Sequence, residues 1–187
     1  EKTVLFDLDG TLVNPAQGIT AACQSALAKL GREVPPQEEL TWIIGPPLRR
    51  SFETLLGGSE MVEDAVAHYR EFYAESGLCD AVPYEGVFDV LRSLTDDGYR
   101  LFICTAKPVV FARQVVENFG FAPFFGGIYG AELDGRFEDK SDLIAHMMAK
   151  EAFDGESAVM IGDRANDTQA SAKNGIRSIG VLWGFGS

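Results

Sequence analysis

Five short runs of apolar residues divide the chain, and stretches with helical periodicity separate most of them. The runs are nearly continuous in apolar character, which is typical of strands buried on both faces of a parallel sheet. They lie at Thr3–Leu8, Leu101–Cys104, Gly127–Gly130, Ala158–Ile161 and Ser178–Leu182. Because such strands need cover on both sides, the pattern predicts a sheet enclosed between two layers of helices.

Between the later strands, apolar residues recur every three or four positions, as they do on the buried face of a helix. One such face is formed by Val87, Leu91 and Leu94, and Gly98 follows as a helix end. Similar patterns follow Pro108, Lys140 and Asp163. Strands that alternate with helices in this way predict an α/β fold with a doubly wound, Rossmann-like parallel sheet as its core.

One long stretch, Pro15–Val82, interrupts this alternation and has helical periodicity throughout. Three helices are predicted in it, at Ile19–Leu30, Pro47–Leu56 and Met61–Tyr73. A connection of this length is too long for a loop within a compact domain. We therefore predict an inserted helical cap domain at 15–82 and a catalytic core formed by 1–14 and 83–187.

Composition narrows the possible partners of the chain. Of its 187 residues, 46% are hydrophobic and 24% are charged, which is typical of a folded protein, and the formal net charge is −12. Such an acidic chain is repelled by phosphate backbones, so nucleic acid is not an expected partner. If the protein handles small phosphorylated molecules, it must concentrate positive charge locally, usually with a metal ion.

The cysteines and the ends of the chain bear on its location. Cys23, Cys79 and Cys104 are scattered and odd in number, which favours a reduced, cytoplasmic compartment. The sequence has no signal-peptide pattern and no apolar run of about 18 residues, so neither secretion nor a membrane span is expected. The chain starts without Met and stops soon after an apolar run, so we expect trimmed ends. Nothing in the sequence predicts an oligomeric state.

Polar residues with chemical potential follow the ends of four predicted strands. They are Asp7 and Asp9 after the first strand, Thr105 after the second, Lys140 at the start of the helix after the third, and Asp163 after the fourth, with Asp167 four residues further on. In open parallel sheets, ligands bind at the edge formed by the carboxyl ends of the strands. The sequence therefore predicts that these residues meet at one site.

Each residue type suits phosphoryl transfer. Carboxylates are hard oxygen ligands that suit Mg²⁺, and several of them close together need a cation in order to stay ionised. Asp7 can attack phosphorus, and Asp9 can protonate the leaving oxygen and then activate water. Gly10 offers a backbone N–H to phosphate, Thr105 offers a hydroxyl, and Lys140 offers a positive charge.

These motifs resemble those of the haloacid dehalogenase superfamily. Asp7–Val13, Thr105, Lys140 and Gly162–Asp167 are similar to its four motifs, and the resemblance covers nearly the whole chain, including the helical insert. Within the superfamily, the segments Ile44–Leu48 and Thr105–Pro108 are similar to those of phosphoglycolate phosphatase-like members.

The resemblance implies a role for each motif residue. Asp7 is implied as the nucleophile that forms an aspartyl-phosphate, and Asp9 as the general acid and base. The implied Mg²⁺ ligands are Asp7, the backbone carbonyl of Asp9 and Asp163, with support from Asp167. The phosphate is implied to bind Thr105 and Lys140.

Two departures from the family pattern and two further expected contacts complete the site. The second motif has Ala106 where many relatives have Asn, so only a backbone N–H is offered there. Lys107 and one of the cap arginines, Arg49 or Arg50, are expected to contact the substrate. The family usually continues for about another helix beyond Trp183, which leaves the last edge of the sheet undefined.

The predicted function is Mg²⁺-dependent hydrolysis of a small phosphomonoester, either phosphoglycolate-like or nucleotide-like. A phosphosugar mutase of the same superfamily uses the same two aspartates and remains an alternative. A signalling receiver domain also combines acidic residues with Thr and Lys, but the long insert and the spacing of Asp7 and Asp9 argue against it. Phosphonate cleavage needs a lysine in the cap, and none lies between Lys29 and Lys107.

Overall fold

The computed structural model describes residues 2–187 and has a five-stranded parallel sheet at its centre. In chain order the strands are β1 (Thr3–Phe6), β2 (Val13–Asn14), β3 (Val82–Pro83), β4 (Arg100–Pro108), β5 (Gly127–Ala131), β6 (Ala158–Gly162) and β7 (Arg177–Gly180). The central sheet has the order β5-β4-β1-β6-β7, and β2 pairs with β3 in a separate antiparallel ribbon. This order confirms the predicted doubly wound α/β fold.

Seven α-helices accompany the strands in the described part of the chain. They are α1 (Ala16–Lys29), α2 (Leu48–Leu56), α3 (Val62–Phe72), α4 (Val87–Asp96), α5 (Val109–Asn118), α6 (Lys140–Glu151) and α7 (Ala165–Lys173). The two faces of β1 contribute to separate buried clusters, because Phe6 packs with α4 and α5 whereas Leu5 packs with α6 and α7. The sheet is therefore covered on both faces, as its apolar strands require.

Three predicted strands differ in their bounds by more than one residue. β4 continues to Pro108 rather than ending at Cys104, so Thr105 lies within this strand. β1 ends at Phe6 rather than Leu8, because the Leu8 carbonyl accepts hydrogen bonds from the N–H groups of a tight turn that follows. β7 is also shifted towards the N-terminus, and its residues are exposed rather than buried on both faces. Leu182, predicted as part of this strand, is 99% exposed, since β7 lies at the edge of the sheet with no neighbour on one side.

The helical insert, residues 15–82, is joined to the sheet by the β2–β3 ribbon. In this ribbon Val13 pairs with Pro83 and Asn14 with Val82, so both connections run side by side. α1, α2 and α3 lie in the insert, and a π-helical turn, Tyr73–Gly77, extends α3. Assignment of 15–82 as an independent cap domain stays a prediction. None of the helices in residues 2–187 has the length and apolar character that a membrane span needs.

Candidate active site

A cavity between the carboxyl edge of the sheet and the helical insert collects five of the predicted site residues. Its volume is about 540 Å³ including its open mouth. The sheet side is formed by Asp7, Asp9, Thr105, Ala106 and Lys107, and the insert side includes Ile19, Ile43, Leu48, Tyr69, Arg70 and Tyr73. The polar groups therefore lie on the sheet side, and the insert supplies a mostly apolar wall.

Asp7 connects this cavity to a buried charge cluster beneath it. Its carboxylate is 2% exposed and lies immediately after β1. The Nζ atom of Lys140, the first residue of α6, lies 3.1 Å from Asp7 Oδ1 and also forms an ion pair with Asp167. Asp167 Oδ2 in turn accepts the backbone N–H of Arg164 at 2.9 Å. The structure thus brings together Asp7, Lys140 and Asp167, as the sequence predicts.

The charges in this cluster shift one another's pKa values. Burial raises the pKa of Asp7, and Lys140 opposes this shift, whereas the nearby carboxylates of Asp167, Asp163 and Asp9 add to it. Burial alone would lower the pKa of Lys140, but the attraction of Asp167 and Asp7 outweighs burial and raises it. Lys140 is therefore a fixed positive charge that only partly balances the acidic groups around it.

The carboxylates of Asp7, Asp163 and Asp167 form a possible metal centre. One oxygen from each residue lies within 4.8 Å of the others. Three converging carboxylate oxygens match the hard, oxygen-preferring chemistry of Mg²⁺ or a similar divalent cation, and such a cation would balance their charge. The residues present therefore fit the metal that the sequence motifs imply.

Asp163 is held in place by the C-terminal segment of the described chain. Its Oδ2 atom accepts the N–H of Phe185 at 2.7 Å, and Oδ1 accepts the hydroxyl of Thr11 at 3.4 Å. Burial raises the pKa of Asp163, and the hydrogen bond from Phe185 opposes this shift. A Cβ atom on Gly184 or Gly186 would overlap Asp163, so these two glycines permit the close wrap of the chain around it.

Asp9 forms a second charged group with Lys107 at the cavity. Lys107 Nζ lies 2.9 Å from Asp9 Oδ2 and is hydrogen-bonded to the hydroxyl of Tyr73 from the insert. The same ammonium lies 4.5 Å from the centre of the Tyr73 ring, within cation–π range. Asp9 Oδ1 is buried and has no hydrogen-bond partner among residues 2–187, so one oxygen of this carboxylate keeps an unused acceptor.

Thr105 occupies the position between these two groups at the end of the sheet. Its Oγ1 atom accepts the backbone N–H of Lys107 at 3.1 Å, which leaves the hydroxyl hydrogen to donate elsewhere. Both Thr105 and Ala106 line the cavity. This placement suits them to donate to an anionic oxygen, as the sequence predicts.

The structure corrects the expected contact of Gly10. Its backbone N–H donates to the Val13 carbonyl at 2.8 Å and is therefore not free to bind phosphate. Gly10 has a φ of +85°, and a Cβ atom here would overlap the Asp163 carboxylate. The glycine is needed because the backbone turns tightly and passes directly beside Asp163.

Arg49 also lies elsewhere than expected. Its Nε atom lies 2.6 Å from Glu63 Oε1, and its guanidinium forms a further ion pair with Glu138. It lines a separate polar cavity together with Arg50, on the other side of α2 from the cavity described above. Arg49 links the insert to the loop before α6, and its expected substrate contact stays a prediction.

The sequence analysis did not identify three residues of the site. Tyr73 and Arg70 line the cavity from the end of α3 and the turn after it, where the helical pattern marked them only as part of a helix. Arg164 donates from Nε to the Ile44 carbonyl at 2.8 Å and from Nη2 to the Thr41 carbonyl at 3.0 Å. The available signal was its position directly after Asp163, because a cation next to a predicted metal ligand is expected to contact another group.

Comparison with known proteins agrees with this geometry. Residues 4–181 match the family model described as haloacid dehalogenase-like hydrolase. The chain is 43% identical over 185 residues to a 5'-nucleotidase of Pseudomonas aeruginosa, covering 98% of this chain and 84% of that protein. It is 30% identical over 192 residues to phosphoglycolate phosphatase 1 of the same organism, covering 98% and 70% of the two proteins.

A solved structure extends the similarity to the fold. A "predicted phosphatase" from Clostridium acetobutylicum superimposes with a TM-score of 0.96 at 38% identity and covers 100% of this chain and 87% of that one. The family match spans the aspartates, Thr105, Lys140 and the helical insert together. A receiver domain is therefore excluded, and the chain belongs to the haloacid dehalogenase-like hydrolases as a phosphatase of that family.

Proposed function

We propose that the protein is a Mg²⁺-dependent phosphatase that hydrolyses a small phosphomonoester through an aspartyl-phosphate on Asp7. The observation that carries this proposal is the placement of the buried Asp7 carboxylate at the cavity floor, in contact with Lys140 and close to Asp163 and Asp167. This arrangement supplies a nucleophile, a fixed positive charge and a cation-binding group of carboxylates at one point.

Asp7, Asp163 and Asp167 are the side chains that would hold Mg²⁺, together with the Asp9 carbonyl that the sequence resemblance implies. When bound, the cation reduces repulsion between the phosphate and the carboxylates and stabilises charge on the transferring phosphoryl group. Lys140 adds a permanent positive charge beside Asp7, and the Thr105 hydroxyl and the Ala106 N–H are positioned to donate to phosphoryl oxygens.

In the first step, an ionised Asp7 oxygen bonds to phosphorus while the bond from phosphorus to the leaving oxygen breaks. Asp9 gives its proton to that oxygen, so the product leaves as a neutral alcohol. In the second step, Asp9 takes a proton from a water molecule as that water attacks the phosphorus of the aspartyl-phosphate. The Asp7 oxygen is then the leaving group, and inorganic phosphate is released with Asp9 protonated again.

The substrate we propose is a small phosphorylated metabolite, either phosphoglycolate-like or nucleotide-like. The names of the two curated relatives support both classes, because one is a 5'-nucleotidase and the other a phosphoglycolate phosphatase. The three cysteines are unpaired, which is consistent with a cytoplasmic location.

The proposal is tested by measuring phosphate release from a panel of small phosphomonoesters with and without Mg²⁺. Asp7→Asn should abolish turnover while leaving the circular dichroism spectrum unchanged, because the amide keeps the shape of the side chain but is not a nucleophile. Asp89→Asn is the matched control, since its carboxylate is largely exposed on α4.

The same experiment distinguishes hydrolysis from mutase chemistry. A hydrolase releases inorganic phosphate in step with substrate loss, whereas a mutase returns the phosphoryl group to a sugar. Absence of Mg²⁺-dependent phosphate release across the panel, or substantial turnover by Asp7→Asn, would contradict the proposal.

A further inference from the structure

Arg70 is a cation in the wall of the active cavity that forms no ion pair with a carboxylate of residues 2–187. It lies on α3 and lines the cavity beside Tyr69 and Tyr73. Its Nη1 atom donates to the Leu133 carbonyl at 2.9 Å, which fixes the guanidinium. Its Nε atom is buried and has no hydrogen-bond partner among residues 2–187. Arg70 thus holds an unused donor beside the space where a substrate binds.

The other cations of the site are paired. Lys107 contacts Asp9, and Lys140 contacts Asp7 and Asp167. Within the described chain, the nearby Glu63 and Glu138 form ion pairs with Arg49 and not with Arg70. Burial, and then repulsion from Arg49, lower the pKa of Arg70, and the attraction of Glu138 and Glu63 opposes this shift. A half-buried charge with no carboxylate in direct contact is incompletely balanced, and an anionic ligand is the group that would balance it.

The position of Arg70 shows which part of the substrate it meets. The groups that hold the phosphoryl group belong to the sheet side of the cavity, whereas Arg70 belongs to the insert. The surrounding insert wall is apolar and includes Ile43 and Leu48. A substrate bridging the two sides therefore places its phosphate on the sheet and its leaving group against the insert.

We propose that Arg70 selects phosphomonoesters whose leaving group carries an anionic group of its own, a carboxylate or a second phosphate, over those whose leaving group is neutral. This inference rests on the proposed function, because it concerns the leaving group of that reaction. It separates the two relatives by chemistry, since glycolate carries a carboxylate whereas a nucleoside is neutral. The structure thereby favours a compact substrate with a second anionic group besides its phosphate over a nucleoside monophosphate.

The test compares substrates that differ in this one group. 2-Phosphoglycolate and ethyl phosphate have the same phosphate and a similar size, but ethyl phosphate has a methyl group in place of the carboxylate. Pyrophosphate supplies a second phosphate instead, and 5'-AMP supplies a neutral nucleoside. Values of kcat/KM with Mg²⁺ are measured for each substrate with the wild-type protein, Arg70→Gln, Arg70→Lys and Arg32→Gln. Arg32 is the control, because it is an exposed insert arginine outside this cavity.

A charge-assisted contact predicts a wild-type preference for 2-phosphoglycolate over ethyl phosphate of about tenfold to about a hundredfold. Arg70→Gln should remove this preference while leaving ethyl phosphate turnover nearly unchanged, and Arg70→Lys should keep part of it. Arg32→Gln should keep all of this preference. The ratio of two substrates within one preparation does not depend on the folded fraction, so a less stable variant still gives a valid result.

Three results would overturn the inference. The first two concern the ratio of kcat/KM for 2-phosphoglycolate to that for ethyl phosphate: a wild-type ratio near one, or an Arg70→Gln ratio equal to that of the wild type. The third is an equal loss of kcat/KM on both substrates in Arg70→Gln, which indicates a structural role only. If phosphoglycolate and pyrophosphate both exceed ethyl phosphate, the substrate that loses more in Arg70→Gln identifies the anion recognised. Absence of phosphate release from every substrate overturns the proposed function together with this inference, whereas turnover with an unaltered ratio overturns the inference alone.

Discussion

Replacing Tyr73 by Phe removes one hydroxyl group that joins the helical insert to the proposed acid and base. Tyr73 is buried at 2% exposure, and its hydroxyl is hydrogen-bonded to Lys107, whose Nζ atom lies 2.9 Å from Asp9. The ring is held between Tyr69, which stacks on it at 5.6 Å, and Phe111, which meets it edge-on at 5.3 Å. The Phe variant should therefore keep the ring in place and change only the contact with Lys107.

The size of the effect follows from what remains around Lys107. A hydrogen bond to a charged group contributes about 1.5–3 kcal/mol. The ion pair with Asp9 and the ring 4.5 Å from Nζ stay in Tyr73→Phe, so we expect a loss near the lower end of that range. If the Lys107–Asp9 pair is needed in the transition state, about 1.4 kcal/mol corresponds to about a tenfold fall in kcat/KM.

The assay is Mg²⁺-dependent hydrolysis of p-nitrophenyl phosphate, with kcat and KM measured separately for each variant. Tyr99→Phe is the matched control, since Tyr99 lies outside the cavity and packs near Lys2 at the opposite end of β1. Lys107→Met should give the largest fall in kcat/KM, because it removes the ammonium itself.

Two results would refute this reasoning. The first is a kcat/KM for Tyr73→Phe within about twofold of the wild type while Lys107→Met is strongly impaired, which means that the hydroxyl has no part in positioning Lys107. The second is a fall in kcat/KM that is fully matched by a fall in the folded fraction, which means that the hydroxyl acts on stability alone.

Three further predictions concern the metal, a glycine and the insert. Because burial raises the pKa values of Asp7 and Asp163, the stability of the metal-free protein should fall as pH rises from the ordinary pKa of Asp through those raised values, and the rise in Tm caused by Mg²⁺ should grow over the same range. An equal rise in Tm for Asp163→Asn would contradict this assignment. Gly10→Ala should lower the free energy of unfolding in urea by about 2 kcal/mol or more. Gly86→Ala has a similar positive φ but open space around its Cβ position, so it should lower this free energy by less. Equal losses in the two variants would exclude the overlap with Asp163. Arg164→Met should raise KM and lower the free energy of unfolding by about 1–3 kcal/mol, because its hydrogen bonds to the insert are lost. Arg92→Met, at an exposed arginine, should change neither quantity. Unaltered KM and stability in Arg164→Met would contradict a role for Arg164 in attaching the insert.

Residues whose position follows from strand ends were predictable from sequence. Asp7 follows β1, Thr105 lies near the carboxyl end of β4, and Lys140 and Asp167 lie on helices that start at the same edge. Topology alone brings such positions together, even when they are far apart along the chain. The expected contacts of Asp7 with Lys140 and the carboxylates rest on this rule, and the structure contains them.

Contacts made by the helical insert were not predictable in the same way. Arg49 and Arg70 have similar sequence settings on insert helices, but only Arg70 lines the cavity. Which of the two arginines reaches the cavity depends on how α2 and α3 lie above the sheet, and helical periodicity does not predict that position. The role of Gly10 was misjudged for a related reason, because the donor that appeared free is used by its own turn and the residue matters for its proximity to Asp163.

The bonds from Arg164 reach backbone carbonyls of the insert rather than side chains. The carbonyls of Thr41 and Ile44 are present whatever residues occupy those positions, so the side chains there are free to vary without breaking the link. Mutation can therefore reshape the insert wall, and with it substrate choice, while the attachment of the insert to the metal-binding segment persists. An enzyme built in this way can diversify its substrates over evolution at little risk to the geometry of its chemistry.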